Sequence, residues 1–141
     1  GSGSIGIEWL LAGGAHTHAV EANPTRATRA RANAESFGLN HRYTLHQHLA
    51  PDGLETLPTP DAVFIGGGAS DALLVQLWTL MPPGTRLVAN AVTLETEALL
   101  TQWSATHGGT LLRIDIADGI PIGPKRGWRA SLPIVQWSVT R

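Results

Sequence analysis

Hydrophobic and polar residues change period along this chain, and each change marks the edge of an element. Apolar residues from Ile5 to Leu11 recur at helical spacing until Ala12, Gly13 and Gly14 end the run. Ala15 to Glu21 (AHTHAVE) then alternates, which predicts a short strand with an acid at its carboxyl end. Asn23-Pro24 starts the next helix, with Asn23 as N-cap and Pro24 at the first helical position. That helix runs to Phe37, and Gly38 stands where a left-handed residue closes a helix. Tyr43 to His46 predicts another strand, followed by a loop with proline and glycine through Pro60.

Asp61 to Ile65 (DAVFI) is a short apolar run before Gly66, Gly67 and Gly68, the pattern of a buried parallel strand with a loop at its carboxyl end. Ser70 to Leu80 predicts an amphipathic helix, and Pro82, Pro83 and Gly84 turn the chain into a strand from Arg86 to Asn90. Leu94 to His107 is helical again, with Glu95 and Glu97 in a first turn that favours acids, and Gly108 and Gly109 stop it. Thr110 to Asp118 and Ile134 to Thr140 predict two strands with no helix between them. Helices alternate with strands up to residue 109, so the sheet is expected to be parallel with helices on both faces and closed by an antiparallel hairpin. No repeat or low-complexity tract offers a linker, which predicts one α/β domain over residues 1–141.

Composition narrows the function. A net charge of −1 with charged residues at 15% gives no broad basic field, so nucleic acid is not an expected partner and an anionic ligand needs a local cluster. The chain has no cysteine for a disulfide or thiolate site, and no apolar run long enough for a bilayer, so a cytoplasmic location is expected.

The opening string GSGSIGIEW has three readings: an expression linker, a dinucleotide fingerprint in which Gly1, Gly3 and Gly6 satisfy G-x-G-x-x-G, or the glycine loop of a methyltransferase that uses S-adenosyl-L-methionine. Glu21 stands twenty positions after Gly1 at the end of the next strand, where a nucleotide-binding α/β unit places the acid for the ribose hydroxyls. That joint pattern opposes the linker but serves NAD and S-adenosyl-L-methionine alike. The terminal antiparallel pair favours a class I methyltransferase fold, a Rossmann-like three-layer sandwich. Leu80-Met81-Pro82-Pro83-Gly84 also resembles the L-x-P-G-G turn common in methyltransferases.

Four strings are more specific: GSGSIGIEW from Gly1, DAVFIGGG from Asp61, NAVTLETE from Asn90 and PIVQW from Pro133. Together they resemble the precorrin-6Y methyltransferase (decarboxylating) family of cobalamin biosynthesis, and most closely its C-terminal decarboxylating domain. The resemblance implies methylation of carbon 15 of a precorrin tetrapyrrole with loss of the carboxyl of the carbon 12 acetate, and S-adenosyl-L-homocysteine as the second product. It also implies a homo-oligomer, a tetramer, and a fused N-terminal methyltransferase domain. Members carry a strand ending in D-x-G-A ahead of the glycine loop, so a first strand upstream of Gly1 is expected to be missing from this chain. Other readings stand beside this one: a class I methyltransferase for another small molecule, a non-catalytic module for S-adenosyl-L-methionine and, more distantly, an NAD-linked domain.

By the same resemblance, Gly1, Ser2 and Gly3 contact the amino acid part of S-adenosyl-L-methionine, Glu21 takes the ribose, and Leu49 and Ala50 border the adenine. The family more often reads G-D-A-P where this chain has His48-Leu49-Ala50-Pro51, so the aspartate that would bond the adenine amine is absent. Gly66, Gly67 and Gly68 with Asn90 to Thr93 lie at carboxyl ends of adjacent strands, where open α/β sheets bind ligands, and are expected to floor the substrate site. Asn90, Thr93 and Glu95 are the candidate catalytic residues. The plainer alternatives are a glycine turn, an Asn90 helix cap and a Glu95 dipole partner. Lys125, Arg126 and Arg129 beside Trp128 fall in an expected loop from Gly123 to Arg129, where arginines suit carboxylates and the indole suits a flat ring. The same string also fits a solvated hairpin tip.

Two histidine pairs, His16 with His18 and His46 with His48, are expected to be edge or partly buried histidines, with no metal site. Arg26 and Arg29 are expected on a solvated helix face opposite Ala27, Ala30 and Ala34. Trp78 and Trp103 suit packing in the core or between subunits.

Overall fold

A computed structural model describes residues 1–141, which group into two compact units, Gly1–Pro58 and Thr59–Arg141. The first contains α1 (Ser4–Leu11), β1 (Thr17–Val20), α2 (Pro24–Ser36), β2 (Tyr43–His46) and a single 3-10 turn (Leu54–Thr56). β1 and β2 are parallel, with Thr17 opposite Tyr43 and Val20 opposite His46. The pleat sends alternate side chains to opposite faces. Ala19, Tyr43 and Leu45 pack with Ile7 and Leu10 of α1, Ala30 and Ala34 of α2, and Leu39. Replacing a fully buried leucine such as Leu10 by alanine would cost about 2–5 kcal/mol.

Both ends of α2 form as the sequence predicts. Asn23 Oδ1 accepts from the Arg26 N–H at 3.0 Å, and Gly38 takes a φ of 68° while the Leu39 N–H returns to the Ala34 carbonyl at 2.9 Å. The small residues Ala27, Ala30 and Ala34 form its buried stripe.

The second unit contains β3 (Ala62–Ile65), α3 (Asp71–Leu80), β4 (Arg86–Ala91), α4 (Leu94–His107), β5 (Thr110–Ile114), β6 (Ala117–Ile122), β7 (Lys125–Ala130) and β8 (Ile134–Thr140). Its main sheet runs β3-β4-β8-β5, with β3 parallel to β4 and β8 antiparallel to both of its neighbours. Leu87, Ala89 and Ala91 of β4 and Val135, Trp137 and Val139 of β8 fill the buried face, where Trp137 meets Trp78 of α3 and Trp103 of α4 at ring-centroid distances of 6.4 and 6.3 Å. The indole of Trp103 donates to Asp71 Oδ1 at 2.9 Å and that of Trp137 to the Gly108 carbonyl at 2.9 Å, so the buried rings keep their polar atoms bonded.

Four expectations change. The strand expected from Thr110 to Asp118 ends at Ile114, and Ala117 and Asp118 instead open β6, paired with Ala130 and Arg129 of β7. The closing pair β5 and β8 is antiparallel, but β8 also lies between β5 and β4. The stretch between them, expected as loop from Gly123 to Arg129, instead forms the separate antiparallel hairpin β6–β7. Gly119, Pro121 and Gly127 weaken its strand signal in the sequence, and its register forms only when the two halves face each other. Finally, β3 is an edge strand of its sheet with Phe64 39% exposed, so only Ile65 is buried as expected of the whole run.

Candidate functional site

In the first unit, the glycine loop is shaped by its own packing. Gly3 has a φ of 77°, a conformation that L side chains rarely adopt, and a Cβ there would stand 2.7 Å from the Tyr43 hydroxyl. A Cβ on Gly6 would stand 2.7 Å from Thr17 Cγ2, and the Thr17 hydroxyl donates to the Gly6 carbonyl at 3.2 Å. The two glycines therefore let the start of α1 lie against β1 and β2. Gly1 has open space around it, and Asn33 of α2 donates to the Ser2 carbonyl at 2.9 Å, which fixes the backbone between Gly1 and Gly3.

Glu21 follows β1 and turns to the same loop. Its Oε2 faces the Gly1 nitrogen. Its Oε1 accepts from the Asn23 N–H at 2.9 Å and from Arg26 Nε at 3.2 Å. Burial works against the charge, while the Asn23 N–H and Arg26 favour it. Arg26 is therefore more than part of a solvated face, since its guanidinium orients the acid. The Tyr43 hydroxyl is pushed up by burial and then by the Glu21 charge, so it stays a neutral donor beside the loop. Leu49, 69% exposed, and the half-buried Ala50 follow β2, on the loop beyond its carboxyl end.

These residues suit a ligand with a diol and a close backbone approach: an anchored carboxylate, and a loop where the N–H groups opening α1 carry no side-chain cap. The sequence singles out Gly1, Ser2, Gly3 and Glu21 as candidates but not Asn33 and Tyr43. Their only signals are an asparagine inside a helix and a tyrosine opening a strand, and neither pattern is distinctive alone.

The histidines occupy the other face of the β1–β2 sheet. His18 Nδ1 lies 3.1 Å from His46 Nε2, and His16 Nε2 lies 2.8 Å from the Thr44 hydroxyl. Burial, then His16, then His46 lower the affinity of His18 for a proton. His16 and His18 are exposed while His46 and His48 are half-buried, as expected of edge histidines.

In the second unit, the register pairs Ile65 with Ala89, so Gly66 and Asn90 are the next positions on adjacent parallel strands. Gly66, Gly67 and Gly68 are exposed there, with Gly68 at a φ of 72°. Asn90 does not cap α4. Thr93 does, its hydroxyl accepting from the Thr96 N–H at 3.3 Å, while Glu95 stands exposed in the first helical turn. Asn90 instead accepts at Oδ1 from Gln136 Nε2 at 2.9 Å, a partner forty-six positions away that sequence reasoning did not single out. Exposed apolar side chains gather at this end, with Val92 at 55% and Leu94 at 78%.

On the β6–β7 hairpin, the strand pleat divides the cations expected to act together. Arg126 and Trp128 fall on one face and Lys125 and Arg129 on the other. Arg126 Nη2 donates to the Gly119 carbonyl at 3.4 Å, Trp128 is 80% exposed, and Gly119, Arg126, Gly127 and Trp128 line an open concavity of about 450 Å³. A cation beside an exposed indole can hold an acidic group next to a flat ring.

A family model described as precorrin methyltransferase domain matches residues 1–141. A precorrin-6Y C(5,15)-methyltransferase (decarboxylating) from a Sinorhizobium species is 47% identical over 143 residues, covering 100% of this chain and 34% of that protein. The protein of the same name from Mycobacterium tuberculosis is 37% identical, again over 100% of this chain and 36% of its own length. The chain thus spans about a third of the curated relatives it matches. The crystal structure of the C-terminal domain of precorrin-6Y C5,15-methyltransferase from Rhodobacter capsulatus is similar with a TM-score of 0.96 at 53% identity, over 100% of this chain and 76% of that one.

Proposed function

Because the chain belongs to the precorrin methyltransferase domain family, we propose that it methylates carbon 15 of a precorrin tetrapyrrole with S-adenosyl-L-methionine and removes the carboxyl of the carbon 12 acetate, in cobalamin biosynthesis. The observation that carries this reading is similarity along the whole chain, at 53% identity, to a solved C-terminal domain of an enzyme named for that reaction. The fold is that of class I methyltransferases, and the family makes dependence on S-adenosyl-L-methionine the expected chemistry.

When bound, S-adenosyl-L-methionine supplies an electrophilic methyl group on a sulfonium. Gly1, Ser2 and Gly3 admit its amino acid part, Glu21 takes the ribose hydroxyls, and Leu49 and Ala50 border the adenine. The bridging carbon of the substrate provides the electron pair of the new carbon–carbon bond, so the protein needs to align the carbon and exclude water rather than supply a strong base. In decarboxylation, the pair left by departing carbon dioxide enters the conjugated macrocycle, and a proton takes the place of the carboxyl.

Asn90, Thr93 and Glu95 with Gly66, Gly67 and Gly68 floor the substrate site in this reading, and the apolar Val92 and Leu94 suit the macrocycle beside them. Lys125, Arg126 and Arg129 take peripheral carboxylates, and Trp128 lies against the ring. The exposed Ile122 and Leu132, at 60% and 75%, suit burial between copies, which supports a homo-oligomer. We carry the tetramer, the fused N-terminal domain and a cytoplasmic location as parts of the same proposal. The strand expected ahead of Gly1 belongs to the same proposal, and the intact mass of the purified gene product tests it and the fusion together.

Incubation with the precorrin substrate and S-adenosyl-L-methionine, read by mass spectrometry, is expected to show a gained methyl group and lost carbon dioxide. Methyl gain alone would remove the decarboxylase half. Calorimetry that finds NAD bound and S-adenosyl-L-homocysteine unbound would overturn the whole reading.

A further inference from the structure

Asn90 and Gln136 are direct cross-strand partners on β4 and β8, both half-buried, on the face opposite Trp137 and Ala89. A side-chain amide can face either way, and the choice decides whether a ligand meets an acceptor or a donor. Here Gln136 Nε2 donates to Asn90 Oδ1 at 2.9 Å, which commits the Asn90 oxygen. Turning Asn90 alone would set one NH2 group against another, whereas turning both amides would keep a bond and present the Asn90 oxygen; the two arrangements differ in which amide has its protons protected. The Asn90 Nδ2 donates to no protein group and remains free for a ligand. The other polar side chains here differ: the Thr93 hydroxyl is held by its cap, and Glu95 is an acid.

We infer that Gln136 is a positioning residue, which locks Asn90 as a hydrogen-bond donor to a carboxylate oxygen of the substrate at the carboxyl end of β4. The inference rests on the proposed function for the nature of the substrate and on the β4–β8 ladder for the geometry. Gln136 itself need not touch substrate. Its effect passes through Asn90, so the two residues form one functional unit.

The test compares Gln136→Leu, Gln136→Glu, Asn90→Ala and the Gln136→Leu/Asn90→Ala double variant in the full chain. Gln136→Leu is expected to lower kcat about tenfold, with KM for S-adenosyl-L-methionine within about twofold of the parent. Gln136→Glu should lose more, because its carboxylate accepts from Asn90 Nδ2 and turns the oxygen toward the substrate. In the Asn90→Ala background, Gln136→Leu should cost no further activity beyond about twofold; multiplying losses, or an active Gln136→Glu, would overturn the inference. A parent chain that binds S-adenosyl-L-homocysteine but converts no precorrin refutes the proposed function instead. The side-chain amide resonances then decide the positioning step without substrate: Gln136 amide protons protected from exchange, and released in Asn90→Ala, support it, and rapid exchange in the parent overturns it.

Discussion

A Cβ on Gly3 would stand 2.7 Å from the Tyr43 hydroxyl, so the glycine loop and the second strand of its unit meet with no room for a methyl group. Gly3→Ala should therefore cost about 1–2 kcal/mol through its left-handed backbone, and more through the contact. Thermal unfolding with calorimetry of S-adenosyl-L-homocysteine is expected to show a lower midpoint and weakened binding. Adding Tyr43→Phe should recover part of the midpoint, and no recovery would show that the hydroxyl is not the obstacle.

Glu21 gives a second expectation. Glu21→Gln keeps the shape but removes the charge proposed to accept from the ribose, so affinity for S-adenosyl-L-homocysteine should fall about tenfold or more.

His18 gives the stability a dependence on pH. Its folded proton affinity is lowered from 6.5 by burial, His16 and His46, so the unfolded chain binds more protons just below that value. Stability should be unaffected by His18 above 6.5 and decline as pH drops toward the folded value. His18→Gln should flatten that part of a thermal-midpoint profile, and an unchanged slope would assign it to other groups.

The β6–β7 hairpin offers a separable test of substrate binding. Trp128 is 80% exposed, so Trp128→Ala should change unfolding free energy by no more than about 0.5 kcal/mol. Together with Arg126→Ala it should raise KM for the tetrapyrrole about tenfold while S-adenosyl-L-homocysteine binds as before. Unchanged KM in both variants would take the hairpin out of substrate recognition.

Local signals carried much of this architecture. Asn23-Pro24 and Gly38 bound α2, and α4 spans Leu94–His107 as its acids and closing glycines predict. Contacts distant in sequence were not legible. Asn90 in front of a helix looks like a cap, and only the placement of β8 reveals Gln136 as its partner. The β6–β7 hairpin was hidden for a related reason: Pro121 and Gly127 suppress strand propensity, while cross-strand register supplies the order. The cluster of Lys125, Arg126 and Arg129 looked continuous because a sequence does not display which face each side chain takes.

The place of β8 sets a timetable for biosynthesis. Of the four strands of its sheet, β8 comes latest in the chain yet lies inside, between β4 and β5. While the ribosome is still adding it, β4 and β5 have no ladder to each other, and the buried face of β4 lacks Val135, Trp137 and Val139. The glycine loop lies with β1 and β2 in the unit Gly1–Pro58. A nascent chain thus has the proposed cofactor loop before the floor of the proposed substrate site, and a pause in translation before Ile134 leaves an open sheet exposed to aggregation.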